Sequence, residues 1–402
     1  MADHPNGPTD GDNLFLTAQQ AAEILQVSVD TLYSYISRKK IRTQKLPGSR
    51  QRLYWREDID RVKAGLWKRS SPSKDAPRDT SITLLTPSAH YYRGRNAIEL
   101  SRTFTLEQTA ALLWECAEGE AFGPQVAYVP PELGDLSKLL SSSSSTDKAI
   151  ALLPFLEHAN PKAYDMSHAG MCRTGADVMR WYCAILADAP EPTSEPLHLQ
   201  IAASVDASRQ AADLIRRTLV LSADYSLGAG TFAVRAVAST GVSSYRSVLA
   251  GLALTSGKRS RLGMAVAVSR FLLELGQSGD PRQMVIQRLR EGTTVLGFDS
   301  PPPYETHDPR AHELLARIED MFGDHVLVRN VRAAAAVMAE VKGIGPSFVL
   351  ANVLLSLLIG LDSTKVLYIL GRCAGWIAHS IEQYQEGEMF APAVLYKGNL
   401  PT

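Results

Sequence analysis

From Ser81 onward the chain is written in long amphipathic stretches rich in alanine and leucine, broken by glycine and proline loops. Beyond residue 100 there is almost no sustained alternation with a period of two, so a large sheet is excluded and the body is expected to be mainly α-helical. With 402 residues the chain is long enough for two or three domains and a large buried core. The Ser141–Ser145 run is low in complexity and is expected to lie in a surface loop within the body.

The region ahead of the body reads differently. Residues 1–13 (MADHPNGPTDGDN) are expected to be a disordered tail, too polar and acidic for a signal peptide. Residues 14–65 read as a compact, helical, basic unit, and LWKRSSPSKDAPRDT (66–80) as a linker. Residues 1–80 hold 14 Lys/Arg against 10 Asp/Glu, a net of +4, and the remainder holds 28 against 32, a net of −4. A basic head on an acidic body fits an appended nucleic-acid-binding module. The cysteines 116, 172, 183 and 373 are far apart, with no C-x-x-C pair, so neither a zinc site nor a disulfide framework is expected and no metal is assigned. The apolar run Val349 to Leu361 contains Asn352, Ser356 and Gly360 and falls short of the roughly 18–20 residues of a membrane span. A soluble, cytoplasmic protein is the expectation.

Residues 15–41, FLTAQQAAEILQVSVDTLYSYISRKKI, read as helix, short turn, helix. Thr17 with Gln20 three positions on has the form of a capping box, and Ser28 caps the second helix. Ala21, Ala22, Ile24 and Leu25 form the apolar side of the first helix; Leu32, Tyr35 and Ile36 do the same for the second. Thr31, Ser34, Ser37 and Arg38 are left among the positions that can face out. The basic run Arg38, Lys39, Lys40, Arg42, Lys45, Arg50 and Arg52 follows, closing on Tyr54-Trp55-Arg56-Glu57-Asp58. The whole pattern resembles the MerR-like or excisionase-like winged helix-turn-helix, with Gln26 where a turn glycine often stands. The resemblance implies that the second helix enters the major groove of double-stranded DNA and that a hairpin wing, roughly residues 42–54 around Pro47-Gly48, touches phosphates. Thr31, Ser34, Arg38, Lys39, Lys40, Arg42, Lys45, Arg50 and Arg52 are the candidate DNA contacts.

Four segments of the body occur in the order found in the citrate synthase family: YYRGRNAIELSRTFTLEQTAALLWE (91–115), LSADYSLGAGTFAVRAVASTG (221–241), THDPRA (306–311) and ILGRCAGWIAHSIEQY (369–384). The resemblance covers nearly all of residues 82–399. It implies a two-domain helical body over 81–402, with a smaller subdomain at about 255–350, a ligand cleft between the two, and a dimer. That family joins an acyl-CoA to oxaloacetate. An aspartate removes a proton from the acyl carbon, one histidine stabilises the enol oxygen, a second polarises the oxo-acid carbonyl, and arginines grip carboxylates.

This chain departs from the pattern where the chemistry sits. Ser222 and Tyr225 stand where the second segment carries histidines in the family, with Asp224 kept between them. LTSGKRSRLGMA (254–265) places Ser260 near the enol-stabilising histidine, GFDSPPPYETHDPR (297–310) places Ser300 or Pro301 at the second, and GIGPSF (343–348) places Ser347 at the aspartate. Ala391 and Ala393 stand where the family contributes a further arginine across its dimer. Arg310 and Arg372 match positions that hold the oxo acid, with pairing to internal carboxylates as the alternative. Lys258, Arg259 and Arg261 lie where the family approaches CoA. His379 reads as a packed core residue, and His307 lies near, but not at, a catalytic position. A serine is no base near neutral pH without an activating partner. The reading is therefore a DNA-binding, catalytically degraded family member whose cleft senses an acyl-CoA or a carboxylate metabolite, with no permanently bound cofactor. The alternatives are a divergent citrate or 2-methylcitrate synthase, and a non-catalytic subunit that pairs with a complete synthase paralogue instead of forming a homodimer.

Overall fold

The computed structural model describes residues 15–38, 41–45, 51–63, 79–225, 228–257, 260, 263–304, 307–361 and 366–390. The chain divides into two compact units, one on each side of Arg78–Asp79 for the described residues.

The N-terminal unit folds as its local signals require. The Thr17 hydroxyl accepts from the Gln20 amide at 3.3 Å while the Gln20 side chain accepts from the Thr17 amide at 2.9 Å, so the capping box opens helix Ala18–Leu25. Gln26 ends that helix in the left-handed region at φ 54°, the conformation that favours glycine at this place. Ser28 then accepts from the Thr31 amide at 3.2 Å to start helix Val29–Arg38. Strands Thr43–Lys45 and Arg52–Trp55 pair antiparallel, and Phe15–Leu16 adds to the other edge of the second. With helix Arg56–Lys63 they enclose a small core of Leu16, Ala21, Ala22, Leu32, Ile41, Tyr54, Ile59 and Val62.

Among the described residues, the body is helical apart from one small antiparallel sheet, Thr83–Leu85, His90–Tyr92 and Arg95–Asn96. Its central element is helix Val366–Glu386, which packs on Leu106–Trp114, His168–Leu186, Arg209–Ser222, Ala229–Ala238 and Ser244–Thr255. A second group of helices lies between Ala265 and Leu358. There helix Ala265–Gln277 packs on Val326–Lys342 and Phe348–Leu358, and Pro309–Phe322 crosses the latter. Helix Pro309–Phe322 also meets Arg209–Ser222, so the two groups share one continuous apolar core. Of the Ser141–Ser145 run, Ser144 caps helix Ser145–Ala159, and Ser145 belongs to that helix rather than to a loop. No helix among the described residues is long and apolar enough to cross a membrane. The four cysteines are free.

Two glycines four residues apart let the central helix lie against the end of Arg209–Ser222. A Cβ on Gly371 would lie 2.5 Å from the Ser222 Cβ, and one on Gly375 would lie 2.3 Å from Asp224 Oδ1 and 2.4 Å from the Ala223 carbonyl oxygen. The Gly375 amide donates to that same carbonyl at 2.9 Å. Gly375→Ala is therefore expected to force these segments apart at a cost of about 1–3 kcal/mol or more, typical of overpacking. A chemical-denaturation midpoint equal to that of the parent chain would show that the contact yields freely.

Candidate functional site

The site grows from three loops and two helix ends. Asp224 follows helix Arg209–Ser222 and is fully buried. It is fixed from both sides by Tyr92 of the small sheet, whose hydroxyl accepts from the Asp224 amide at 3.2 Å and donates to the Val220 carbonyl at 3.1 Å. The carboxylate accepts from Arg372 Nη1 at 2.5 Å and from His379 Nε2 at 3.2 Å, two groups on one face of the central helix. Arg372 Nη2 donates to the Thr231 hydroxyl at 2.8 Å. Burial alone would raise the Asp224 carboxyl, but Arg372 and His379 outweigh it and hold the group far below the usual carboxylate range. His379 is the packed core residue the sequence indicates. Burial opposes its proton, and Asp224 and Glu382 more than offset that and raise it.

Glu382 completes this cluster. It accepts from Arg235 Nη1 at 2.6 Å, the Ser81 amide at 2.8 Å and the Thr80 hydroxyl at 2.9 Å. Burial pushes its carboxyl up, yet His379 and the Ser81 amide dominate and bring it from 4.5 down to about 2. A group whose pKa is lower folded than unfolded stabilises above the unfolded value, and the contribution disappears as pH falls through the folded value. The urea-midpoint difference between the parent chain and Glu382→Gln is thus expected to be full above the unfolded pKa near 4.5 and to close toward pH 2. A difference unchanged across that window would mean that Glu382 is not ionised in the fold.

Arg310 is placed by its own motif. Asp308 caps helix Pro309–Phe322, Pro309 occupies the first turn, and the Arg310 amide donates to Asp308 Oδ1 at 3.0 Å. The Arg310 side chain then turns back onto the cap, donating from Nε at 3.1 Å and from Nη2 at 2.7 Å. Tyr225 and Phe348 lie over the guanidinium with ring centres 4.5 and 4.4 Å from its central carbon. Tyr225 donates its hydroxyl to the Pro302 carbonyl at 2.8 Å. Both arginines read as carboxylate grips are therefore engaged by internal carboxylates, and Arg310 Nη1 has no hydrogen-bond partner among the described residues.

The three serines that the sequence resemblance sets at catalytic positions divide. Ser347 is buried and accepts from the Leu350 amide at 3.3 Å as the cap of helix Phe348–Leu358. Ser260 accepts from the Gly263 amide at 2.8 Å within a turn. The Ser300 hydroxyl is buried with no partner among the described residues. His90 is a site residue that the sequence reading missed. It is fully buried, its Nδ1 lies 3.3 Å from the Tyr304 hydroxyl, and its ring centre is 6.0 Å from that of Tyr225. Burial, reinforced by Arg310, pushes its imidazole well below the ordinary histidine range, so it is neutral. A strand histidine next to the YYRGR motif carries no local signal of this role. His307 is exposed, and with His312, Arg332, Gly345 and Pro346 it lines a neighbouring cavity of about 260 Å³. Lys258, Arg259 and Arg261 lie outside the described residues.

In the N-terminal unit, Asp30, Tyr33 and Ser34 are exposed on helix Val29–Arg38, and Asp30 and Tyr33 were not among the candidate contacts. Thr31 shares a 2.8 Å hydrogen bond with Ser28, and Ser34 donates to the Thr31 carbonyl at 2.7 Å. Arg42 makes a two-point pair with Asp58, at 3.0 and 2.9 Å. Lys45 and Arg52 are exposed and stand directly opposite each other across the hairpin. Like charges in that position destabilise a strand pair, so the hairpin carries a concentrated positive patch at a cost. The Arg38 side chain, Lys39, Lys40 and Arg50 lie outside the described residues.

The family described as citrate synthase, C-terminal domain, matches residues 76–393, and a helix-turn-helix domain family matches residues 15–65. The citrate synthase of Haloferax volcanii is 31% identical over 193 residues, 46% of this chain and 50% of that protein. The citrate/2-methylcitrate synthase of Bacillus subtilis is 30% identical over 187 residues, 45% and 50% respectively. The chain thus spans about half the length of the curated relatives it matches. The citrate synthase structure from Thermotoga maritima superposes with a TM-score of 0.68 at 22% identity, covering 81% of this chain and 94% of that one. That from Pyrobaculum aerophilum gives 0.69 at 16%, covering 90% and 96%. The matched span, the helical body and the shared fold agree: this chain belongs to the citrate synthase family and carries a helix-turn-helix domain ahead of the family's body.

Proposed function

We propose that this protein binds double-stranded DNA through its N-terminal unit and that its family cleft senses a metabolite in place of making citrate. The observation that carries the reading is the state of the cleft. Where the family places an acid/base set, this chain has Ser347 consumed as a helix cap and Ser260 bound into a turn, with Ser300 at the third position. The ligands in view are an acyl-CoA and a carboxylate at Arg310.

A homodimer belongs to this reading. An open groove of about 600 Å³ lies along helices Ala229–Ala238 and Ser244–Thr255, lined by Val237, Val242, Leu249, Ala250 and Ala253 together with Tyr164. A two-fold partner would cover it and present two recognition helices to a palindromic site. A complete synthase paralogue is the competing occupant, and copurification with it would favour the subunit reading.

The test is DNA affinity measured against salt and ligand. Each lost phosphate contact lowers the slope of log K against log salt by about 0.9. Lys45→Ala and Arg52→Ala are each expected to remove about that much. Acetyl-CoA or small organic acids are expected to shift affinity by roughly 5–150-fold, the usual span of a coupling free energy. DNA affinity indifferent to every one of these ligands sinks the sensor. No salt-dependent binding to any duplex sinks the DNA reading.

A further inference from the structure

Two of the four cysteines, Cys116 and Cys172, come from distant parts of the chain and meet through a hydrogen bond between their side chains. Both sides of the meeting are held in place. Cys116 lies in the turn that ends helix Leu106–Trp114, where Glu115 is left-handed at φ 58° and the Cys116 amide donates to the Ala111 carbonyl at 3.1 Å. Trp114 anchors that turn, its indole donating to the Ala374 carbonyl of the central helix at 2.8 Å. Cys172 lies near the start of helix His168–Leu186. His168 joins the two segments: its Nε2 donates to the Trp114 carbonyl at 2.8 Å and lies 4.0 Å from Cys172 Sγ.

The two thiols are not equivalent. Cys116 is half-buried between exposed Glu115 and Ala117, whereas Cys172 is buried. The Cys172 thiol donates to the Cys116 sulfur, and that bond lowers the Cys116 thiol against the opposing effects of burial and Glu120. The same bond, with burial, raises the Cys172 thiol. Attack on an oxidant needs a thiolate and access to it, and Cys116 is the one of the pair that has both. Cys172 is the thiol placed to receive what forms there. The other two cysteines are fully buried, and burial raises both. Cys183 also donates to the Leu197 carbonyl at 3.6 Å.

We propose that Cys116 and Cys172 form a reversible redox pair, in which a peroxide oxidises Cys116 and Cys172 resolves the product as a disulfide. In the first step the Cys116 sulfur attacks one peroxide oxygen. The O–O bond breaks, a sulfenic acid forms on Cys116, and the second oxygen leaves as water with the thiol proton. In the next step the Cys172 sulfur attacks the Cys116 sulfur. The S–O bond breaks, the S–S bond forms, and the hydroxyl leaves as a second water with the Cys172 proton. Two electrons thus pass from the thiol pair to one peroxide, and a dithiol reductant returns them. The bond would tie the turn after helix Leu106–Trp114 to helix His168–Leu186, two elements that both pack on the central helix. It would close a loop that includes helix Ser145–Ala159. A cross-link over a loop of that length restricts the unfolded chain, so the oxidised form is the more stable one.

The reduced full-length protein would be treated with hydrogen peroxide, quenched and unfolded, its thiols counted and its peptides mapped by mass spectrometry. Loss of two of the four thiols is expected, with a linked Cys116–Cys172 peptide pair lighter by two hydrogens. Dithiothreitol should restore both thiols, and the oxidised protein should melt at a higher temperature than the reduced one. Cys172→Ser is expected to stop at a sulfenic acid on Cys116, trapped by dimedone. Cys116→Ser is expected to consume peroxide about tenfold or more slowly. Sulfinic acid on Cys116 beside an intact Cys172 thiol overturns the pairing. So does a disulfide between two copies through Cys116, or oxidation that falls first on Cys183 or Cys373. Four thiols surviving excess peroxide overturn the site altogether. Should either serine variant fail to fold, the peptide map of the unsubstituted protein decides alone.

Discussion

Replacing Asp224 by alanine is expected to destabilise the body by about 3–5 kcal/mol, the cost of breaking a buried ion pair by removing one partner. The change takes the carboxylate from Arg372 and leaves His379 to Glu382, 3.6 Å from its Nδ1, with both side chains buried in the central helix. The pair itself is not evidence of a large net contribution. Withdrawing two charges from water costs several kcal/mol per ion, and their attraction offsets that only when geometry and extra hydrogen bonds are good. Here they are: Thr231 takes the second arginine nitrogen, and Tyr92 fixes the Asp224 backbone. Urea unfolding followed by the helical circular dichroism of the body checks the value. A loss below about 1 kcal/mol, the size of an exposed pair, would mean that water reaches the cluster.

The second large effect is an absence of turnover. With acetyl-CoA or propionyl-CoA plus oxaloacetate, the purified protein is expected to release CoA thiol no faster than a protein-free control. Removing one positioned acid or base lowers a rate by about 10²–10⁴, and in the proposed reading the aspartate and both histidine positions are substituted together. The deficit is not a matter of residue names alone. The Ser347 hydroxyl already caps a helix, and Tyr225 stacks on the arginine that would hold the oxo acid. Restoring one group, as in Ser347→Asp, is expected to recover little, since catalytic residues that act as a unit are far from additive. CoA release that Arg310→Ala or Arg372→Ala abolishes would establish a rebuilt active site and overturn the sensor.

Both predictions turn on groups whose partners lie far away in the chain. Arg372 and His379 meet Asp224 from separations of 148 and 155 residues, and His90 meets Tyr304 across 214. By contrast, every cap named from the sequence involves a separation of three residues, as in Thr17 with Gln20 and Ser28 with Thr31. The Asp308–Arg310 pair stands between these cases. Its two residues are neighbours in the motif, yet the choice between gripping a ligand and gripping its own cap depended on Tyr225 and Phe348 closing over the guanidinium.

The sequence by itself determined the helical body, the capped helix-turn-helix and the family. Those follow from short-range rules: side-chain period, caps within one turn, and motifs of a few residues. Only the tertiary structure decided which charges neutralise one another, that the retained arginines are held internally, and that His90 is buried beside Tyr304 and Tyr225. A buried charge takes whichever partner the packing of distant segments brings within about 3 Å, and no local pattern encodes that encounter.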